Sequence, residues 1–135
     1  MIVVDASVVI DLVLGAGSQA GDTLAAHLRA GEVLAAPHLV DAEVGQALRR
    51  FALRGDLTDS RATSLILDFM NVPITRYPHA GLLTRAFAFR RNVTVYDGLY
   101  MALAEALQCP LFTGDGALRD VPGCQAVVEI FATSA

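Results

Sequence analysis

Ile2-Val3-Val4-Asp5-Ala6-Ser7 is the stretch on which the reading of this chain turns. Three β-branched residues in a row, with no polar residue alternating among them, read as a short strand covered on both faces. Asp5 ends that run, and a helix-like segment follows near residues 6–14. The same kind of apolar run returns at Val33-Leu34-Ala35-Ala36, Val72-Pro73-Ile74, Leu111-Phe112-Thr113 and Ala126-Val127-Val128. Helix-like stretches lie between them near residues 19–29, 38–53, 59–70, 79–91 and 96–107, with Val40, Val44, Ala47, Leu48 and Phe51 at helical spacing. Strands alternating with helices predict an α/β fold, three layers deep (α/β/α), around a central, mostly parallel, five-stranded sheet.

The chain has 135 residues, enough for one core, and residues 1–135 read as a single domain. Hydrophobic residues make up 54% and charged residues 18%, against about a quarter charged in ordinary soluble proteins. The ten basic residues are all Arg and face fourteen acids, for a net charge of -4. Without Lys there is no phosphate loop ending in Gly-Lys-Ser/Thr and no Schiff-base catalysis. The negative balance also argues against a broad basic sheath, so any polyanion must be held by local Arg or by a metal ion. Cys109 and Cys124 are too few and too far apart for a zinc site or a disulfide framework, which fits a reducing, cytoplasmic compartment. No basic residue precedes Asp5, and Asp5 and Asp11 interrupt the first apolar stretch, so it reads as core rather than as a signal peptide. No uncharged run reaches the roughly 18 residues of a membrane span.

In parallel sheets ligands bind outside the carboxyl ends of the strands. Asp5 directly follows the first strand and Asp115 stands two residues past the fourth. Each acid has an ordinary structural explanation when taken alone. Asp5 can cap the helix that starts at Ala6. Thr94-Val95-Tyr96-Asp97 matches a capping box, Gly114-Asp115-Gly116 is a common turn, and Glu43 can be an acid in the early turns of a helix. Together they form a pattern, because Asp5, Glu43, Asp97 and Asp115 can all face one edge of the sheet. Two carboxylates about 4 Å apart repel by roughly 4 kcal/mol at an effective dielectric near 20, and with no Lys available a bound cation is the natural compensator. All-oxygen ligation suits Mg or Mn rather than zinc, and His27, His38 and His79 have no ligand spacing among them. Asp41 lies about 200° around the helix from Glu43, so the two cannot both point into one pocket.

Met1 to Ser7, Pro37-His38-Leu39-Val40-Asp41-Ala42-Glu43, Tyr96-Asp97-Gly98-Leu99-Tyr100-Met101-Ala102-Leu103-Ala104 and Thr113-Gly114-Asp115 resemble the motifs of PIN-domain proteins, and more narrowly those of the VapC toxins. The resemblance spans nearly the whole chain. It implies an endoribonuclease in which Asp5, Glu43, Asp97 and Asp115 are catalytic and hold one or two Mg or Mn ions. Metal-activated water would cut the phosphodiester, leaving 5'-phosphate and 3'-hydroxyl ends. Ser7 and Thr113 match small hydroxyl positions that could orient the carboxylates or bound water, or could simply cap. Either Glu43 or Asp115 could take the proton of the attacking water.

Arg50 and Arg54 lie seven and eleven residues past Glu43, on one helical stripe that an RNA backbone could follow. Arg85, Arg90 and Arg91 could extend it or form a solvated face. The resemblance further implies a tRNA or ribosomal RNA substrate, a small antitoxin wrapped around the chain, toxin-antitoxin hetero-oligomers and a homodimer. The apolar surplus suits such contacts, with residues 19–29 and 59–70 as candidate faces. Two other readings compete: a catalytically inactive PIN-like binding module, disfavoured by four intact acids, and a phospho-acceptor signalling domain, which as a family uses the Lys missing here.

Overall fold

The computed structural model describes residues 1–15 and 17–134, so Ala16 and Ala135 of the expected 1–135 domain lie outside the described residues. Its strands are β1 (Ile2–Val4), β2 (Leu34–Pro37), β3 (Ile74–Tyr77), β4 (Leu111–Thr113) and β5 (Val128–Ile130). Its helices are α1 (Ala6–Leu14), α2 (Gln19–Arg29), α3 (Leu39–Arg54), α4 (Asp59–Met70), α5 (Leu83–Ala88) and α6 (Val95–Leu107), with single 3-10 turns at Ala80–Leu82 and Gly116–Leu118. All strand pairs are parallel, in the order β3-β2-β1-β4-β5, so the sheet is wholly rather than mostly parallel.

That order decides where a site can form. From β1 the chain steps outward to β2 and β3, then crosses back to the other side of β1 for β4 and β5. Chain direction across the sheet reverses between β1 and β4, and their carboxyl ends flank the crevice that such a reversal leaves. The central strands β1, β2 and β4 are buried along their length, which is why they carry Ile, Val, Leu, Ala and Phe with almost no polar alternation. One layer of helices holds α1, which packs on α2, α3 and α4, with α1 touching β4 and α3 touching β2. The other holds α5 and α6, with α6 lying over β1 and β2 and burying every residue from Gly98 to Ala104.

The apolar runs place β1 and β4 at their observed bounds and the other strands one or two residues early. At β3, Asn71 closes α4 and the N–H of Val72 still bonds to Phe69 at 3.0 Å. Val72 and Pro73 therefore complete a turn, and the strand runs on through Thr75, Arg76 and Tyr77. Coverage on both faces also fails at the edges: Thr75 of β3 and Glu129 of β5 are exposed, since each of these strands pairs on one side only. The expected helix over 79–91 breaks into a 3-10 turn and the short α5, and residues 89–93 close in turns. Among the described residues no helix is long and apolar enough to cross a membrane.

Candidate active site at the carboxyl ends of β1 and β4

Asp5 leaves β1 in an extended conformation and caps α1, so its carboxylate stands at a helix N-terminus and at the strand end together. One oxygen accepts from the Ser7 N–H at 2.8 Å and from the Ser7 hydroxyl; the other accepts from the Thr113 hydroxyl at the end of β4. Each hydroxyl also serves as an acceptor. Ser7 Oγ takes the Gly114 N–H at 2.9 Å and Thr113 Oγ1 takes the Asp115 N–H at 3.0 Å. Ser7 and Thr113 thus lock the Asp5 carboxylate across the β1/β4 crevice, with Thr113 fully buried and Asp5 only 6% exposed. Space at Gly114 is tight: a Cβ there would stand 2.4 Å from Thr133 Cγ2 and 3.2 Å from Ser7 Oγ, so one or both of these side chains would have to shift.

The other acids enter from separate elements. Asp115 is exposed and caps the 3-10 turn after β4, its Oδ1 accepting from the Ala117 N–H at 2.9 Å. Asp97 sits in the first turn of α6, whose cap Thr94 accepts the Asp97 N–H at 3.1 Å. Glu43 lies half-buried in the second turn of α3. Capping and convergence therefore coexist: Asp5 and Asp115 cap, Thr94 caps for Asp97, and the carboxylates still meet at one edge.

Electrostatics record that meeting. Burial, followed by the charges of Asp5, Asp115 and Glu43, pushes the Asp97 carboxyl up to about 6. Burial also raises Glu43, with Asp5 adding to the rise while the Tyr100 hydroxyl and Arg50 oppose it. Asp5 is raised by burial against the hydrogen bonds from Ser7 and Thr113. Among the described residues no Arg or His forms an ion pair within 4 Å with any of the four, so hydrogen bonds and the more distant charge of Arg50 are what offset the cluster's negative charge.

A divalent cation fits this donor set: hard carboxylate oxygens only, one carboxylate pre-oriented by two hydroxyls, and mutual repulsion that a cation would relieve. The side chains do not form a finished cage, for among the described residues no three His, Cys, Asp or Glu are gathered tightly enough to ligate one ion.

The arginine stripe divides. Arg50 lines a groove of about 460 Å³ together with Ser7, Ile10, Glu43, Gln46 and Tyr96, and among the described residues its guanidinium has no hydrogen bond or ion pair within 4 Å. Arg54 turns away to Asp56 at 3.0 Å and stacks on Phe51. Arg85 is committed to Glu105 through two bonds of 2.7 and 2.8 Å, and Arg90 lies over Phe87. Asp41 pairs with Arg76 at 2.8 Å, away from Glu43 as the helix geometry requires. Of the two candidate contact faces, α4 exposes Leu67 and Met70, whereas α2 exposes no large apolar side chain.

Two residues escaped the sequence reading. Tyr100, one turn past Asp97 on α6, is 1% exposed, and among the described residues its hydroxyl has no hydrogen-bond partner in good geometry although Glu43 is beside it. Its position three residues after a candidate ligand was the available signal, masked by the apolar run around it. Asp11, also 1% exposed, accepts from the Ser134 N–H at 2.7 Å and from the Ser134 hydroxyl at 3.0 Å, tying the chain's last described residue to α1. Nothing in the local sequence announces a partner 123 residues away.

The family model described as PIN domain matches residues 2–123. Over 129 residues the chain is 40% identical to ribonuclease VapC1 of Mycobacterium tuberculosis, covering 95% of this chain and 96% of that protein. It is 39% identical over 132 residues to ribonuclease VapC12 of the same organism, covering 98% and 100%. In fold it is similar to VapBC2 from Rickettsia felis, solved bound to a DNA fragment from the promoter, with a TM-score of 0.69 at 14% identity and 97% and 99% coverage. It is also similar to Mycobacterium tuberculosis VapC20, a sarcin-ricin loop cleaving toxin, with a TM-score of 0.62 at 20% identity and 86% and 91% coverage. This extent of matching removes the phospho-acceptor alternative, and the chain belongs to the PIN-domain family, with VapC ribonucleases as its relatives.

Proposed function

We propose that this chain is a metal-dependent endoribonuclease and the toxin of a type II toxin-antitoxin pair. The observation that carries this reading is the convergence of Asp5, Glu43, Asp97 and Asp115, from four separate segments, toward the β1/β4 crevice with no ion pair within 4 Å among the described residues, in a chain 40% identical to a VapC ribonuclease. Asp5 and Asp97 would hold the ion, with Glu43 and Asp115 completing its surroundings. Bound there, Mg or Mn would supply Lewis-acid activation of water and neutralise charge at the phosphate. The protein's own part is orientation and proton traffic. Ser7 and Thr113 fix the direction of Asp5, and the cap at Ala117 fixes one oxygen of Asp115. Glu43, whose proton affinity burial raises, is the better suited of the two remaining acids to accept a proton. Arg50, in the groove beside Glu43 and without an ion pair among the described residues, is the phosphate contact nearest this centre, and Arg54 is secondary because it already serves Asp56.

The substrate class is structured RNA such as tRNA or ribosomal RNA. The partner is a small antitoxin, with a homodimer and toxin-antitoxin hetero-oligomers as the assemblies. The exposed apolar residues Leu67 and Met70 on α4 and Phe87 on α5 supply surface for such contacts. Cleavage of a folded RNA in Mg2+, followed by mapping of fragment ends, tests the activity. Loss of cleavage in EDTA and in the Asp5→Asn, Asp97→Asn double variant is expected; cleavage surviving either change overturns the reading. Metal binding without any cleavage would instead favour the inactive binding module. Arg50→Ala should flatten the salt dependence of RNA binding by about one counterion, and an unchanged slope would remove Arg50 from the interface.

A further inference from the structure

Tyr100 presents a problem of chemistry. Its ring is packed in the core at 1% exposure, and its hydroxyl is one of two buried side-chain polar positions without a hydrogen-bond partner among the described residues. A buried hydroxyl left unpaired destabilises a fold, and Phe would fill the same space without that cost. Such a group is retained where it has work at a site.

Its surroundings identify the work. Tyr100 stands one helical turn past Asp97, and the carboxylates of Glu43, Asp5 and Asp97 all bear on it, Glu43 most strongly. A neutral phenol among carboxylates can act only as a hydrogen-bond donor. Asp5 already has three donors, from the Ser7 N–H and the hydroxyls of Ser7 and Thr113, whereas among the described residues Glu43 accepts none in good geometry. Glu43 is also the acid on the longest side chain of the four and the one least fixed by its own backbone.

We propose that Tyr100 is the positioning residue for Glu43: its buried hydroxyl donates to one Glu43 oxygen when the carboxylates are drawn together around a cation, leaving the other oxygen directed into the crevice. The inference rests on the cation-dependent reading of the cluster. Tyr100 does for Glu43 what Ser7 and Thr113 do for Asp5, with a donor drawn from the core.

The test is Tyr100→Phe, alone and combined with Glu43→Gln, read by Mn2+ titration calorimetry, by RNA cleavage kinetics in Mg2+ and by thermal melting. Tyr100→Phe should weaken Mn2+ binding about tenfold, the lower end of what loss of a ligand-orienting partner brings. It should lower kcat by a similar factor, leave KM unchanged and leave Tm equal or higher. In the Glu43→Gln background the same substitution should change Mn2+ affinity less than twofold, since the carboxylate it serves is gone. Wild-type affinity and kcat in Tyr100→Phe would overturn the proposal, as would an equal loss in both backgrounds, which would mark a packing effect. A fall in Tm with unchanged affinity would assign Tyr100 to the core alone. Failure of the wild-type chain to bind Mn2+ or to cleave RNA would overturn the catalytic reading together with this one.

Discussion

Asp97→Asn removes one charge from the cluster while keeping the shape of the side chain, so the sign of its effect on stability isolates electrostatics. In the folded chain Asp97 titrates at about 6 instead of 3.8, through burial first and then through Asp5, Asp115 and Glu43. A carboxyl raised in the folded state favours folding in its protonated form, fully below the unfolded value near 3.8. That advantage is lost as pH rises to about 6, above which the ionised form opposes folding. A two-unit shift corresponds to about 3 kcal/mol, and solvent screening at a half-buried side chain reduces this to about 1–2 kcal/mol. In EDTA at neutral pH, Asp97→Asn should therefore melt about 3–8 °C above wild type. Well below pH 3.8, where both side chains are neutral, the difference should vanish. With saturating Mg2+ the order should reverse, because wild type gains binding free energy that the variant largely forgoes. Melting curves of the two proteins at two pH values, with and without Mg2+, decide the matter. A variant less stable than wild type in EDTA at neutral pH, or a gain that persists in acid, refutes the repulsion. An order that Mg2+ leaves untouched refutes the cation.

Three further outcomes follow from the packing. Thr113→Val should cost about 1–3 kcal/mol by urea denaturation, since it strips a donor from Asp5 and strands the Asp115 N–H; cleavage should fall with it, and an active, fully stable Thr113→Val would show that this lock is dispensable. Gly98→Ala should destabilise by about 1–2 kcal/mol despite a gain of about 1 kcal/mol in helix propensity. The added Cβ would stand 2.7 Å from the Ala86 carbonyl oxygen, forcing α6 away from α5 next to Asp97; a stabilised variant would refute the close approach. Asp11→Asn should lose about 1–2 kcal/mol and speed hydrogen exchange at the Ser134 amide, because an amide cannot accept through both of its atoms; unchanged exchange at Ser134 would refute the tether.

Legibility in the sequence followed the range of the interactions. Strands β1 and β4 were readable to the residue because each is a short, fully buried run that gives way at once to a residue of weak strand propensity, Asp5 in one case and Gly114 in the other. The edge strands were displaced because one face is open to solvent: Thr75, Arg76 and Glu129 belong to strands yet carry no apolar signal. Asp5, Asp97 and Asp115 were legible as candidates because they adjoin strand ends or helix starts, where local patterns point, whereas Glu43 was singled out by its fit to the family motif. The divergence of Arg50 and Arg54 depended on Asp56, which lies beyond the helix that defined the stripe. Tyr100 and Asp11 were hidden by the surrounding apolar residues: the neighbours of the Tyr100 hydroxyl and the Ser134 partner of Asp11 come together only through tertiary contact.

The ordinary and the functional explanations of the aspartates turn out to be one design. Asp5, Asp97 and Asp115 stand at the start of a helix or 3-10 turn, where unsatisfied N–H groups carry partial positive charge. Such ends stabilise an anion by about 0.3–1 kcal/mol each at α-helices, less than the roughly 4 kcal/mol by which two close carboxylates repel. Capping therefore offsets only part of the repulsion among the acids, and Asp97, raised by burial first and then by Asp5, Asp115 and Glu43, stands near 6. Glu43, on the second turn of α3, stands beyond the first turn to which that effect is confined. Burial works against its charge, and only Arg50 at a distance and the neighbouring Tyr100 hydroxyl oppose that. Glu43 is thus the one acid of the four whose place is set by side-chain contacts rather than by the start of a helix or turn.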